Sequence, residues 1–254
     1  EGPTPLDVVV DRVLERKPSR AKDTRSPIRG DIRLRAASLG IVFADLERKI
    51  VVPAHVALRG VRFRHLVTSD EAGRRTLLWD ESVTVYMPSV HHSLDFNLPD
   101  VQLVDAEGQA IAGERITVKT PSHLDYGPPF LQVTGCKMPN FFRSHSVKAG
   151  DSFLFTIEQF DPPRWRLEHE PQAQRNQAAI DRRNRELMDI LYQMLEEAPA
   201  EYLHDEQTAV RSALMQTADP RGYPGDPWLQ ALDADGRMAP DMHGIVYADS
   251  RPLS

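Results

Sequence analysis

The sequence predicts an α+β protein in four parts: a small basic region of helices and a β-hairpin (1–60), a central, mostly antiparallel β-barrel or sandwich (61–171), a long helix with a second helix (172–218), and an extended acidic tail (219–254). Three observations lead to this layout. Apolar residues recur at three and four in residues 6–17 and 180–198, as on one face of a helix. They alternate with polar residues in short, turn-bounded runs between 61 and 171. Pro, Gly and Asp dominate from Asp219 onward.

At 254 residues the chain suits one large domain or two to three small ones. Its 41% apolar and 27% charged residues are those of an ordinary globular protein, and no run approaches the ~18 apolar residues of a membrane span. The single cysteine, Cys136, excludes an intramolecular disulfide and suits a reducing compartment; without a basic, apolar leader, a cytoplasmic protein is expected. The net charge of −6 conceals an asymmetry: residues 1–64 carry 14 Lys/Arg against 8 Asp/Glu, whereas the remainder is acidic. Such a split points to a polyanion for the basic part, or else to an Arg-rich solvated face.

Leu6 to Lys17 reads as a helix, with Leu6, Val9, Val10, Val13 and Leu14 on one side, Thr4 as its N-cap, Pro5 at its first position and Pro18 as its stop. Ser26-Pro27 repeats the start signal and Gly40 the stop. A helix between them puts Ile28, Ile32, Ala36 and Leu39 on one face, with Arg29 and Arg33 on its flank; Leu34 falls on the wrong face. The alternation of Ile32, Leu34 and Ala36 fits a strand instead, but the two boundary signals favour the helix. Ile41 to Leu58 reads as two short strands around Glu47-Arg48-Lys49.

Val61, Phe63, His65 and Val67 alternate with Arg62, Arg64 and Leu66; further strands are expected at Leu77–Trp79, Ser82–Met87, Leu94–Leu98, Val101–Val104 and Glu114–Lys119. After the apolar run Phe130–Val133, Pro139 to His145 can form a short helix carrying Phe141 and Phe142. A turn at Lys148-Ala149-Gly150-Asp151 then leads into a hairpin whose faces carry Phe153, Phe155 and Ile157 on one strand and Trp165, Leu167 and His169 on the other. Gln172 to Ala198 is expected as one helix with an apolar stripe of Ile180, Leu187, Leu191 and Met194. Glu201 to Thr217 follows as a second helix presenting Val210, Ala213 and Leu214. The stripe leans on the barrel or joins two chains through Leu187, Leu191 and Met194, as in a dimeric four-helix bundle.

Two stretches resemble known families. Residues 4–60, opening on Pro5-Leu6-Asp7, are similar to winged-helix domains, loosely of the HARE type. Met138-Pro139, Phe141-Phe142 and Lys148 to Ser152 resemble DNA-binding pseudobarrels of the plant type and bacterial swapped-hairpin regulators. The first resemblance implies a groove-facing helix flank with Arg29 and Arg33, and a wing tip with Arg48 and Lys49.

No catalytic signature emerges. Cys136 and His145 lack a third, orienting group, and His91, His92, Asp95, His123 and Asp125 have metal-ligand atoms without organising spacing. Asp233 to Gly236 begins like a calcium loop but reads as an ordinary turn. Phosphate-cradling, nucleophile-elbow and dinucleotide motifs are absent from the sequence. The expected function is therefore non-enzymatic DNA binding of a regulatory, nucleoid or mobile-element kind. Duplex phosphates would meet Arg20, Lys22, Arg25, Arg29, Arg33, Arg35, Arg48 and Lys49, with no cofactor. Arg62, Arg64, Arg74, Arg75, Lys137 and Arg143 offer a second, weaker basic patch. The alternatives are a protein-interaction scaffold acting through barrel and long helix, and a metal-dependent hydrolase using the histidine loops.

Overall fold

The structure, a computed structural model, describes residues 2–18, 23–88, 98–121, 130–198, 202–241 and 244–248. It is a mixed α+β fold with several antiparallel sheets. Thr4–Pro5 (β1) runs straight into Leu6–Arg16 (α1), followed by Arg25–Leu34 (α2), Ile41–Phe43 (β2) and Ile50–Pro53 (β3). Thr4 pairs with Val51 instead of capping α1, so the first sheet has the order β1-β3-β2. Leu6, Val10, Ile32, Ala36, Phe43 and Val51 close a small core of their own, with Ile28 packed against it. The stripe read from the sequence ends early: α2 stops at Leu34, and Leu39, in the turn before Gly40 at φ +63°, is 54% exposed.

After Pro53 the chain makes the short helix Ala54–Ala57 (α3), where a strand end was expected. Arg62–Leu66 (β4), Ser69–Arg74 (α4), Thr76–Leu78 (β5) and Glu81–Thr84 (α5) come next. The strand expected at Ser82–Met87 is overturned by local capping: Asp80 Oδ1 accepts from the Val83 amide at 3.2 Å and the Ser82 hydroxyl at 2.5 Å, which starts a helical turn. Gln102–Val104 (β6), Glu114–Pro121 (β7), Phe130–Lys137 (β8), Pro139–Ser144 (α6), Ser152–Gln159 (β9) and Arg164–Glu170 (β10) complete the central part. The strand expected at Leu94–Leu98 lies mostly outside the described residues.

These strands form two sheets, β4-β9-β10-β6 and β5-β8-β7, and no ring of hydrogen-bonded strands closes among the described residues. The outer edge of β4 is covered by a loop in place of another strand: the Arg62 amide donates to the Pro220 carbonyl at 3.3 Å. The apolar face is the one the alternation marked out. Phe63 stacks on Tyr86 at 4.0 Å and meets Trp165 edge-on at 5.1 Å, while Phe141 and Phe142 of α6 set their rings edge-on against Phe153. Gly135 lies so close to the Leu77 carbonyl, 2.4 Å from an ideal Cβ position, that any side chain there would push β5 from β8.

The expected 27-residue helix is broken. A single 3₁₀ turn at Gln172–Gln174 precedes Gln177–Glu196 (α7), because Asn176 caps the Ala179 amide at 3.1 Å. Tyr202–His204 (β11) and Glu206–Gln216 (α8) follow. The stripe of α7 packs within the chain: Leu187, Leu191 and Met194 are buried in the main core with Val210, Ala213 and Leu214 of α8. Leu187, Leu191 and Met194, the expected dimer stripe, therefore spend their apolar surface inside the chain and do not present it to a partner. The tail is not an extended arm either. Trp228–Asp235 (α9), Met238–Asp241 (β12) and Gly244–Tyr247 (β13) fold back, with sheet order β11-β13-β12 and with Trp228, Leu232 and Ile245 in the core. Trp228, Leu232 and Ile245 find buried partners that their neighbours in sequence do not supply.

One clasp holds tail and centre together. Arg64, fully buried on the polar side of β4, pairs with Glu170 of β10. It donates to Ser152 Oγ at 2.6 Å and to the Gly225 and Pro224 carbonyls at 3.0 and 3.4 Å, and lies 5.0 Å from the centre of the Tyr223 ring. The Tyr223 hydroxyl donates to the other Glu170 oxygen at 2.5 Å. Replacing Arg64 by Met should strand a buried carboxylate and cost about 3–5 kcal/mol, whereas the Arg64→Met/Glu170→Met pair should recover much of that loss. Urea unfolding at neutral pH measures both; an unchanged midpoint for Arg64→Met would show that the clasp carries no stability.

Candidate functional site

Because the helix pair α1–α2 is antiparallel, the basic flank of α2 faces acidic α1 in register. Arg25 pairs with Asp11, and Arg29 Nε donates to Asp7 Oδ1 at 2.7 Å, one turn apart on each helix. Arg35 lies 3.3 Å from Asp31 on its own helix, and Lys49 pairs with Glu47. Four of the expected phosphate contacts therefore have intramolecular carboxylate partners. Arg20 and Lys22 lie outside the described residues.

Arg33 and Arg48 are different. Arg33, the next turn of the same α2 row, reaches the β2–β3 turn and donates to the carbonyls of Glu47 at 3.3 Å and Arg48 at 3.4 Å. Its Nε is buried without a hydrogen-bond acceptor. Arg48 sits at φ +52°, a left-handed conformation that a bulky side chain adopts only under constraint. That constraint is local: Asp45 Oδ1 accepts from the amides of Lys49 and Ile50 at 2.9 and 2.7 Å, tightening the turn. Burial, and then the like charge of Arg33, hold the Arg48 guanidinium below the usual arginine pKa. Two half-buried cations thus meet at the junction of helix and hairpin, with no carboxylate among the described residues paired to either.

Of the second expected patch, Arg75, Lys137 and Arg143 stay exposed, while Arg62, Arg64 and Arg74 are engaged. Arg64 is buried in the clasp, Arg62 pairs with Glu168 at 3.1 Å, Arg74 pairs with Asp70 at 2.8 Å, and Arg75 takes the left-handed C-cap of α4. The sequence reading missed Arg59, Arg164 and Arg166, which line an open cleft beside β9 and β10. The outward positions of Arg164 and Arg166 were legible in the alternation of residues 164–170, but not their distance from Arg59.

Groups capable of acid–base chemistry serve the fold. His65 and Glu71 are buried and joined at 2.8 Å, and Glu71 also accepts from the Thr68 and Leu78 amides. Burial alone would disfavour both charges, but their mutual attraction prevails, raising His65 and lowering Glu71. Burial raises the Cys136 thiol, and His145 stacks on Phe141 at 4.1 Å. His91, His92, Asp95, His123 and Asp125 lie outside the described residues, and among the described residues there is no cluster of three or more metal-ligating side chains. No described helix is long and apolar enough to cross a membrane. No family model and no curated protein matches this chain.

Burial, then the charges of Glu81 and Asp205, push Glu206 up to about 7. A carboxyl raised in the folded state stabilises fully below its unfolded pKa near 4.5, and that contribution is lost as pH rises through 7. Glu206→Gln should therefore be neutral near pH 4 and more stable than the parent by roughly 1–2 kcal/mol at pH 8, after discounting for partial exposure. Unfolding midpoints at the two pH values measure the difference; a gap independent of pH would refute it.

Proposed function

We propose that this protein is a non-enzymatic DNA-binding protein of regulatory type that contacts duplex phosphates through its first sixty residues. The observation that carries this reading is the pair Arg33 and Arg48. Both are half-buried, of like charge and without a carboxylate partner among the described residues, and one has an orphaned N–H. A phosphate oxygen between two guanidiniums would satisfy the orphan and relieve their repulsion. In support of the reading, α2 and the turn of the β2–β3 hairpin lie side by side, with Arg33 donating to the Glu47 and Arg48 carbonyls. The positive balance of residues 1–64 gives the same direction at longer range.

A second reading, a protein-docking module, is favoured by one observation. Among the described residues, the exposed large apolar side chains all lie in the N-terminal part: Val8, Val13, Leu34, Leu39, Ile50 and Val56.

Fluorescence anisotropy with a labelled duplex separates the two. The parent should bind with an affinity that falls steeply with salt. Arg33→Gln/Arg48→Asn should weaken binding about tenfold and lower the salt slope by about two. Asn tolerates the left-handed turn, so the fold is spared. Arg29→Gln, which removes a cation already paired with Asp7, should leave that slope unchanged. Absence of binding to duplex, single strand and RNA at low salt would sink the DNA reading and leave docking.

A further inference from the structure

We propose that the cleft between the Arg59–Gly60 turn and the outer face of β9–β10 is a second anion site, built for the phosphate group of a polar ligand. Its cavity, about 410 Å³, falls within the usual range of small-molecule sites. The walls carry Arg59, Arg164 and Arg166 against the one carboxylate of Glu158, and Thr156 adds a hydroxyl. That excess of two positive charges matches a phosphate monoester, which carries about −1.5 to −2 near neutral pH.

The hydrogen bonding leaves donors to spare. The register of β9 and β10 shifts between Arg164 and Trp165, so Glu158 sits opposite the gap between the two arginines. Arg166 takes one Glu158 oxygen with both Nε and Nη2, at 3.0 and 2.6 Å. Arg164 Nε lies 3.2 Å from the other oxygen but is too poorly aligned to hydrogen-bond, and is buried without an acceptor. No ion pair within the described residues holds the Arg59 guanidinium, which is exposed. At the rim, Arg221 crosses above Gly60 and is tied there by its Nε to the Arg59 carbonyl at 3.3 Å. Gly60, at φ +80°, has Arg221 3.2 Å from an ideal Cβ, so a side chain there would be both strained and crowded, and the floor stays open.

Guanidinium forks bind phosphate through paired N–H groups, which distinguishes this cleft from a simple basic surface. No aromatic ring lines it, so a nucleobase would have nothing to stack on. What it recognises is phosphate on a hydroxylated body, either a free sugar phosphate or the sugar–phosphate backbone of a nucleic acid. The site is separate from Arg33 and Arg48 and does not depend on their role.

Isothermal titration of the full chain with ribose 5-phosphate, inorganic phosphate and unphosphorylated ribose tests the proposal. The two phosphates should bind and ribose should not. Arg59→Gln/Arg164→Gln should weaken the phosphates about tenfold or more, while Arg33→Gln/Arg48→Asn should leave them unchanged. Arg59→Glu, on an exposed side chain, repeats the test should the double variant fold poorly. Displacement of ribose 5-phosphate by a short duplex would assign the site to nucleic-acid backbone, and lack of displacement to a free phosphorylated metabolite; either supports an anion site. Lack of binding by every phosphate-bearing probe, or binding indifferent to both Arg59 variants, would overturn it.

Discussion

A guanidinium cut off from water must be fully paired or it destabilises its own fold, and Arg64 imposes that constraint on the centre of this molecule. Its partners come from three places in the chain: Ser152 at the start of β9, Glu170 at the end of β10, and the ring of Tyr223 with the carbonyls of Pro224 and Gly225 in the returning tail. Burying the charge costs several kcal/mol, and only this set of acceptors offsets it. The tail therefore lies along the edge of β4 because Arg64 needs its carbonyls there. That placement in turn covers the β4 edge of the sheet β4-β9-β10-β6.

A second buried arginine fastens the chain in a similar way. Arg211 of α8 is fully buried, donates to the Val85 carbonyl at 2.5 Å and also to the Met87 carbonyl, and burial brings its pKa to about 10. It thereby fixes the irregular chain after α5 against α8. Two hydroxyls of α8 do the corresponding work on its other side: Thr208 and Ser212 accept from the amides of Ala37 and Phe43 at 3.1 and 3.2 Å and dock the N-terminal sheet. A helix with polar groups on two sides is thus buried on both, and it joins the basic N-terminal part to the main core. Arginine in this chain is first a fastener, and the cations left over after fastening are what can meet a partner. Arg33 with Arg48, and the excess of Arg59, Arg164 and Arg166 over Glu158, are those remainders.

Asp151 shows how the Gly-Asp turn within the stretch from 130 to 171 organises the centre. Its carboxylate accepts from the amides of Lys148 and Gln172 at 2.9 and 3.0 Å and lies 2.9 Å from His169 Nε2. Burial would raise its pKa, but the His169 hydrogen bond and the two amides outweigh this and keep it below the usual aspartate range. The Gly-Asp turn read from the sequence is therefore the point where α6, β9, β10 and the lead-in to α7 are tied together.

Local patterns were legible from residues alone. The stripe of α1 apart from the exposed Val13, the presence of α2 (which starts at Arg25, ahead of the Ser26-Pro27 signal), the hairpin around Glu47 to Lys49, the short helix with Phe141 and Phe142, and the faces of β9 and β10 follow from periodicity and turn chemistry. Those depend on residues within one or two turns of each other. Which cations stay free did not, because Asp7 and Asp11 meet Arg29 and Arg25 only after two helices fold antiparallel. The strand read at Ser82–Met87 yielded to the Asp80 cap, and the tail read as an arm folded back because Trp228, Leu232 and Ile245 bury against partners far away in sequence. The amino-acid sequence by itself determined the periods, the turns and the excess of positive charge before residue 65. Tertiary structure alone decided which of those charges are spent inside the protein, since an ion pair needs a partner within about 4 Å and only the folded chain sets that distance.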